Sequence, residues 1–274
     1  MAIKDILFLL NPEAEAQTAA PYATAFAEFL DAHFTAAGVI YEMLIPSGFT
    51  GDYPAEITAA LTDQSRERNA AAYELLCKAA PASLRTELVE IDAIPGEARY
   101  ELARLARHFD LTIIGQSRER SGDDALMAEA ALFESGRPVL FVPRIHTHAP
   151  KLSRVVVAWD GSRTAARALA DAQPVLDKAD VIDVVSISDP RLGYKELPGF
   201  NITRHLSRHG LNAELKRLPM SGDVGETLLS YAADAGADLL VMGGYGHSRL
   251  REIVLGGTTR TIMQSMTVPI FMSH

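Results

Sequence analysis

The chain has 274 residues, 48% of them hydrophobic, with 26 basic against 35 acidic side chains. That length suits one large domain or two ordinary ones at roughly 150 residues each, and the apolar fraction excludes global disorder. A net charge of −9 repels phosphate backbones and argues against a non-specific nucleic-acid binder.

Along the chain, Ile6–Leu10 is the first strand-like run, closed by Asn11 and Pro12. It lacks a small-residue cleavage pattern and makes a poor signal peptide. Ala-rich segments then predict one long helix from about Glu13 to Ala37 and another from about Ala55 to Ala80. Cys77 lies in the second of these and is the single cysteine, which excludes an intramolecular disulfide and a Cys-rich metal site. Set among Ala and Leu, it reads as a buried, inert thiol. The segments Asp110–Gly115 and Gly136–Val142 follow, and Pro143–Ser153 reads as a linker. No apolar run approaches the about 18 residues of a membrane span, so no membrane partner is expected. The cysteine usage fits a reducing, cytoplasmic setting.

The second half repeats the first. Val155–Trp159 followed by Asp160 echoes Ile6–Leu10 followed by Asn11; Asp238–Gly243 echoes Asp110–Gly115; Met266–Met272 echoes Gly136–Val142. Three landmarks in one order indicate a tandem duplication, with domains at 1–145 and 152–274. In the second copy, strands are expected at Val155–Trp159, Val181–Ile187, Ala213–Arg217, Leu239–Met242 and Ile270–Phe271. Helices are expected at Ser162–Asp177, Asn201–His209, Val224–Ala235 and Thr258–Met266, with Asp223 capping the third and Gly236 ending it. Val-, Ile- and Leu-rich strands without polar alternation, alternating with helices, predict a doubly wound parallel α/β sheet in each half.

Chemistry concentrates after the fourth strand of the second copy, in Gly243-Gly-Tyr-Gly246-His247-Ser-Arg-Leu-Arg-Glu-Ile-Val-Leu-Gly256-Gly257-Thr258-Thr259. Glycines at the carboxyl end of a parallel strand permit tight turns and close approach of backbone to a ligand. The second glycine cluster opens a helix, whose unpaired N–H groups and partial positive charge suit an anion. Thr258 and Thr259 add hydroxyls, and Arg249 and Arg251 add positive charge. Asp160, at the end of the first strand, either accepts a bond from a base or sugar opposite the phosphates or caps the Ser162 helix. His247 either approaches the phosphates or points to water.

The segment resembles the Gly-x2-Gly-x9-Gly-[Ser/Thr] ATP motif of the universal stress protein family, with Gly243, Gly246 and Gly256 matching both spacings. The family includes tandem members, so the resemblance covers nearly the whole chain. It implies two tandem five-stranded parallel-sheet domains of the adenine-nucleotide alpha-hydrolase-like type. It also implies an intrachain pseudo-dimer, with further pairing of chains as a homodimer left open. In family terms, Asp160 would contact adenine, flanked by Ala158 and Trp159, with Ser186 on the second strand. Met242 and Gly243 would begin the phosphate loop, and Gly246, Gly256, Gly257, Thr258 and Thr259 would hold ribose and phosphates. The implied cofactor is ATP, with ADP and AMP as alternatives and Mg²⁺ as companion. The resemblance further implies a nucleotide-dependent regulatory role in stress response toward an unknown protein partner.

Two departures stand out. The family's hydroxyl residue after the last glycine is Gly257 here, and Trp159 either narrows the adenine slot or stacks on the base. The first half departs further: Asn11 replaces the aspartate, and Gly115 to Pro138 spans 23 steps where Gly243 to Pro269 spans 26. Ala125 and Leu126 stand where Gly256 and Gly257 do, while Glu119, Asp123 and Asp124 would repel phosphate. This half is expected to bind no nucleotide. His205 and His209, one helical turn apart without a third ligand, read as a solvent-facing pair rather than a metal site. No P-loop, nucleophile elbow or His-Glu-x-x-His motif occurs, so no catalytic residue is assigned and slow ATP hydrolysis is the most that is expected. A nucleotide-independent scaffold, with structural glycines, is the alternative reading.

Overall fold

The computed structural model describes residues 2–12, 18–42, 55–117, 122–188, 201–220, 222–244 and 257–274. The first half of the chain forms β1 (Asp5–Leu9), α1 (Ala19–Leu30), β2 (His33–Tyr41), α2 (Ala55–Ala79), β3 (Thr86–Ala93), α3 (Ala98–Ala106), β4 (Leu111–Gly115), α4 (Asp123–Glu134) and β5 (Val139–Val142). The second half forms β6 (Arg154–Ala158), α5 (Arg163–Asp171), α6 (Gln173–Leu176), β7 (Val181–Ser188) and α7 (Ile202–Arg208). It continues through β8 (Ala213–Pro219), α8 (Val224–Asp234), β9 (Leu239–Gly243), α9 (Gly257–Ser265) and β10 (Ile270–Ser273).

Two compact units result, one chiefly Ile3–Val139 and the other chiefly Leu140–His146 with Pro150–His274. In the first, parallel strands run in the order β3-β2-β1-β4. In the second the order is β10-β9-β6-β7-β8, again parallel, with Leu140–Val142 of β5 beside β10. Continuous apolar strands explain this choice. Val155–Val157, Leu239–Val241 and Ile270–Met272 are all buried, so both faces of the sheet need covering, as helical crossovers provide. In each unit the order reverses beside the first strand, the place where open α/β sheets generally take ligands, at the carboxyl ends of the strands.

The expected helix from Glu13 to Ala37 is corrected. Helix α1 stops at Leu30, where Asp31 turns left-handed at φ 54° and donates its N–H to Ala27 and Glu28 carbonyls. Residues 33–41 then enter the sheet between β1 and β3. Ala36, Ala37 and Gly38 favour a helix or a bend in isolation. In the fold, small size is what the strand needs, because α2 crosses it closely: a Cβ on Gly38 would lie 2.8 Å from Asn69 Nδ2. Burial and pairing outweigh local propensity. Residues 13–17 lie outside the described residues.

The Ser162–Asp177 helix is likewise two helices, divided at Ala172, with a proline in the first turn of α6 where its missing N–H costs nothing. Asp223 caps α8 by accepting the Glu226 N–H at 3.1 Å, and Gly236 ends that region at φ 63°. Cys77 is exposed, against expectation, with Sγ 3.4 Å from Thr86 Oγ1. On α2 the inward stripe is Ala72 and Leu76, and the next residue falls about 100° round the helix. Near the amino ends of the second unit's strands, buried Asp183 accepts from Arg154 Nη1 at 2.6 Å and the Tyr231 hydroxyl at 3.1 Å, tying β6, β7 and α8 together.

Candidate functional site

The carboxyl ends of β6 and β9 define the second unit's crevice. Val157 pairs with Val241, so Ala158–Asp160 and Met242–Gly243 stand at the same end of the sheet. The Trp159 N–H donates to the Val185 carbonyl at 2.8 Å, which fixes its backbone against β7. Ala158, Trp159 and Ser186 are all half-buried. Asp160 is exposed, and its Oδ1 accepts the Ser162 N–H at 2.8 Å around Gly161, which sits at φ +74°. The cap of α5 is therefore Ser162 itself, whose Oγ accepts from the Ala165 N–H at 3.1 Å. Asp160 shapes the turn before that cap, so the N-cap alternative for it is corrected.

Met242 is buried and Gly243 half-buried. A Cβ on Gly243 would lie 2.5 Å from the Thr164 carbonyl carbon and 2.6 Å from the Ala165 nitrogen. The first turn of α5 thus rests directly on this strand end, and the position has a packing reason to be glycine. Gly244 continues the path, its N–H donating to the Ser273 carbonyl at 2.7 Å. His274 Nδ1 lies 2.9 Å from the Gly244 carbonyl oxygen. Motif spacing did not point to His274; the signal was its place one residue beyond a strand in register with β9, since Ser273 pairs with Gly243. Gly246, His247, Arg249, Arg251 and Gly256 lie outside the described residues.

Helix α9 begins at Gly257 with no acidic residue in its first turn. Gly257 is exposed, Thr258 half-buried and Thr259 only 3% exposed. Among the described residues, no atom lies within 4 Å of a Cβ built on Gly257, and its φ is not left-handed. Among the described residues, neither packing nor a left-handed backbone asks for glycine there. The helix is held instead through Gly225 of α8, where a Cβ would meet the Thr258 carbonyl oxygen at 3.0 Å. That contact packs the first described turn of α9 against the start of α8.

The first unit differs at each corresponding point. Gly115 to Asp123, the start of α4, is eight steps, whereas Gly243 to Gly257 is fourteen. The α4 helix begins with Asp123 and Asp124, whose carboxylates offset its dipole. Asn11 Nδ2 donates to Asp124 Oδ2 at 2.7 Å, and the Gly96 N–H reaches Asp123 Oδ2 at 3.4 Å. Burial, then the charge of Asp123 and its hydrogen bond to Tyr41, then Asp124, raise the Tyr41 hydroxyl far above its ordinary 10.0.

The Tyr41 shift has a measurable consequence. Above about pH 10 the unfolded chain releases this proton while the folded chain keeps it, so stability falls as pH rises toward the folded value. Urea midpoints measured from about pH 9 to pH 11 are expected to fall less steeply in Tyr41→Phe than in the parent; equal slopes would contradict the assignment.

Against known proteins, residues 151–274 match the family model described as the Universal stress protein family. The chain is 26% identical over 176 residues to the universal stress protein Slr1230 of Synechocystis sp., covering 62% of this chain and 59% of that protein. It thus spans less than two thirds of that relative's length. The crystal structure of a universal stress protein from Archaeoglobus fulgidus DSM 4304 superposes with a TM-score of 0.70 at 18% identity, over 98% of this chain and 95% of that one. A functionally unknown protein of Pseudomonas aeruginosa PAO1 gives a TM-score of 0.61 at 13% identity, over 99% and 92%. At such identities the structural likeness shows the fold, a tandem α/β architecture with parallel sheets running through both halves. Residues 151–274, just under half of the chain, are thus similar to the universal stress protein family.

Proposed function

We propose that the domain at 152–274 binds an adenine nucleotide, ATP first with ADP and AMP as alternatives, and that the bound nucleotide governs a surface taken by a protein partner in a cytoplasmic stress response. The observation that carries this reading is Gly257, an exposed glycine in the first described turn of α9 that, among the described residues, has no packing contact to require it. A missing side chain there leaves room for a phosphate against main-chain N–H groups. Ala158, Trp159, Asp160 and Ser186 would face the base and sugar, and Met242, Gly243, Gly257, Thr258 and Thr259 would hold the phosphate side. Gly246, His247 and Gly256 complete the motif by sequence. Mg²⁺ would reach the site with the phosphates, with Thr258 as the nearest hydroxyl candidate. The domain at 1–145 would bind no nucleotide, its helix start being occupied by bonded carboxylates.

Binding rather than turnover is the proposed activity, since no general base stands among the described residues of this loop. Four or five hydrogen bonds to phosphate, at about 1.5–3 kcal/mol each, support a dissociation constant of about micromolar. Calorimetric titration of the full chain with ATP should give that heat, accompanied by a change in Trp159 fluorescence. Absence of both signals, with no nucleotide co-purifying by mass spectrometry, would reject the reading. A nucleotide-independent scaffold has one observation in its favour: Gly243, a motif glycine, is demanded by α5 packing alone.

A further inference from the structure

The first unit has its own crevice, a cavity of about 730 Å³ where β1 and β2 end, beside α2 and the first turn of α4. That volume falls within the roughly 300–1,000 Å³ typical of small-molecule pockets. Leu10, Leu61, Ile94 and Met127 give it an apolar body. Among the described residues, its charged groups are Glu42 and Asp124, with Arg68 of opposite sign. Behind the wall stands Asp123, hydrogen-bonded to Tyr41, so among the described residues at the cavity three carboxylates face one cation. Net negative potential beside an apolar cavity discriminates by ligand charge: it disfavours phosphates and carboxylates and favours an ammonium group.

We propose that this cavity is a receptor site for a small amphipathic amine, its apolar chain lying against Leu10, Leu61, Ile94 and Met127 and its ammonium group facing Asp124 and Glu42. The raised proton affinity of Tyr41, caused by burial and then by Asp123 and Asp124, reports the same negative field. The cavity belongs to the unit that lacks the glycine motif, so the proposal stands or falls separately from nucleotide binding in the other unit. The tandem chain would then carry two sites of opposite charge preference.

The test uses the full chain, with octylammonium chloride and sodium octanoate as matched probes of opposite charge followed by calorimetry. Octylammonium is expected to bind about tenfold more tightly than octanoate. Two variants locate the site. Asp124→Asn keeps the cavity and is expected to erase most of that preference. Leu61→Lys, at a position 41% exposed and so tolerant of substitution, places a cation at the wall and is expected to weaken octylammonium about tenfold. Circular dichroism and urea midpoints matching the parent establish that both variants are folded. Equal affinity for the two probes, no heat with either, or unchanged octylammonium affinity in both folded variants would each overturn the proposal.

Discussion

Gly243→Ala is expected to unfold at a lower urea concentration than the parent, with a stability loss of about 1–3 kcal/mol. The new methyl group would stand 2.5 Å from the Thr164 carbonyl carbon and 2.6 Å from the Ala165 nitrogen, both backbone atoms of the first turn of α5. Backbone cannot rotate away as a side-chain tip can, so either the helix or the strand end must shift. Moving α5 disturbs the Ser162 cap and the Asp160 turn before it, since these are tied to the same helix start. Gly243→Val, with more volume at the same contact, should lose more. An unchanged midpoint in Gly243→Ala would mean that α5 does not lie against this strand as described.

For Gly257→Val the expectation is the reverse pattern. No described atom lies within 4 Å of the added Cβ, so the urea midpoint should stay close to the parent value, within about 0.5 kcal/mol in stability. The branched side chain would occupy the space in front of the exposed α9 start, where phosphate oxygens would take main-chain N–H groups. Losing one such bond at about 1.5–3 kcal/mol corresponds to a fall in ATP affinity of about ten- to hundred-fold. Paired calorimetry and urea unfolding of the two glycine variants thus separate a packing glycine from a ligand-facing one. Undiminished ATP affinity in Gly257→Val would remove phosphate from that helix start.

Much of this architecture was legible in the order of residues. Apolar runs at Val155, Val181 and Leu239 marked buried parallel strands, and Asp223 with Gly236 marked both ends of α8. What escaped depends on neighbours distant in sequence. The run Ala36-Ala37-Gly38 has no strand character of its own; it becomes strand because α2 passes close to it through Asn69. Helix α1 ends at Asp31, a residue that tolerates the left-handed conformation but does not announce it as glycine would. The exposure of Cys77 turned on which stripe of α2 faces the sheet, which Leu76 decides. At the candidate site, glycine spacing singled out a segment but not the reasons for its glycines. Gly243 and Gly257 are both glycines of one segment in the sequence, and the nearness of Thr164 to the first of them tells the two apart.

The unequal connections after β4 and β9 bear on how readily the two halves of the chain can trade roles. Between Gly115 and α4 the chain has six fewer steps than between Gly243 and α9. Point mutation can exchange Asp123 or Asp124 for uncharged residues, yet it cannot restore contour length. Matching the second half's chain length between these elements therefore demands an in-frame insertion, a rarer event than substitution, and an engineered exchange would require grafting the longer segment whole.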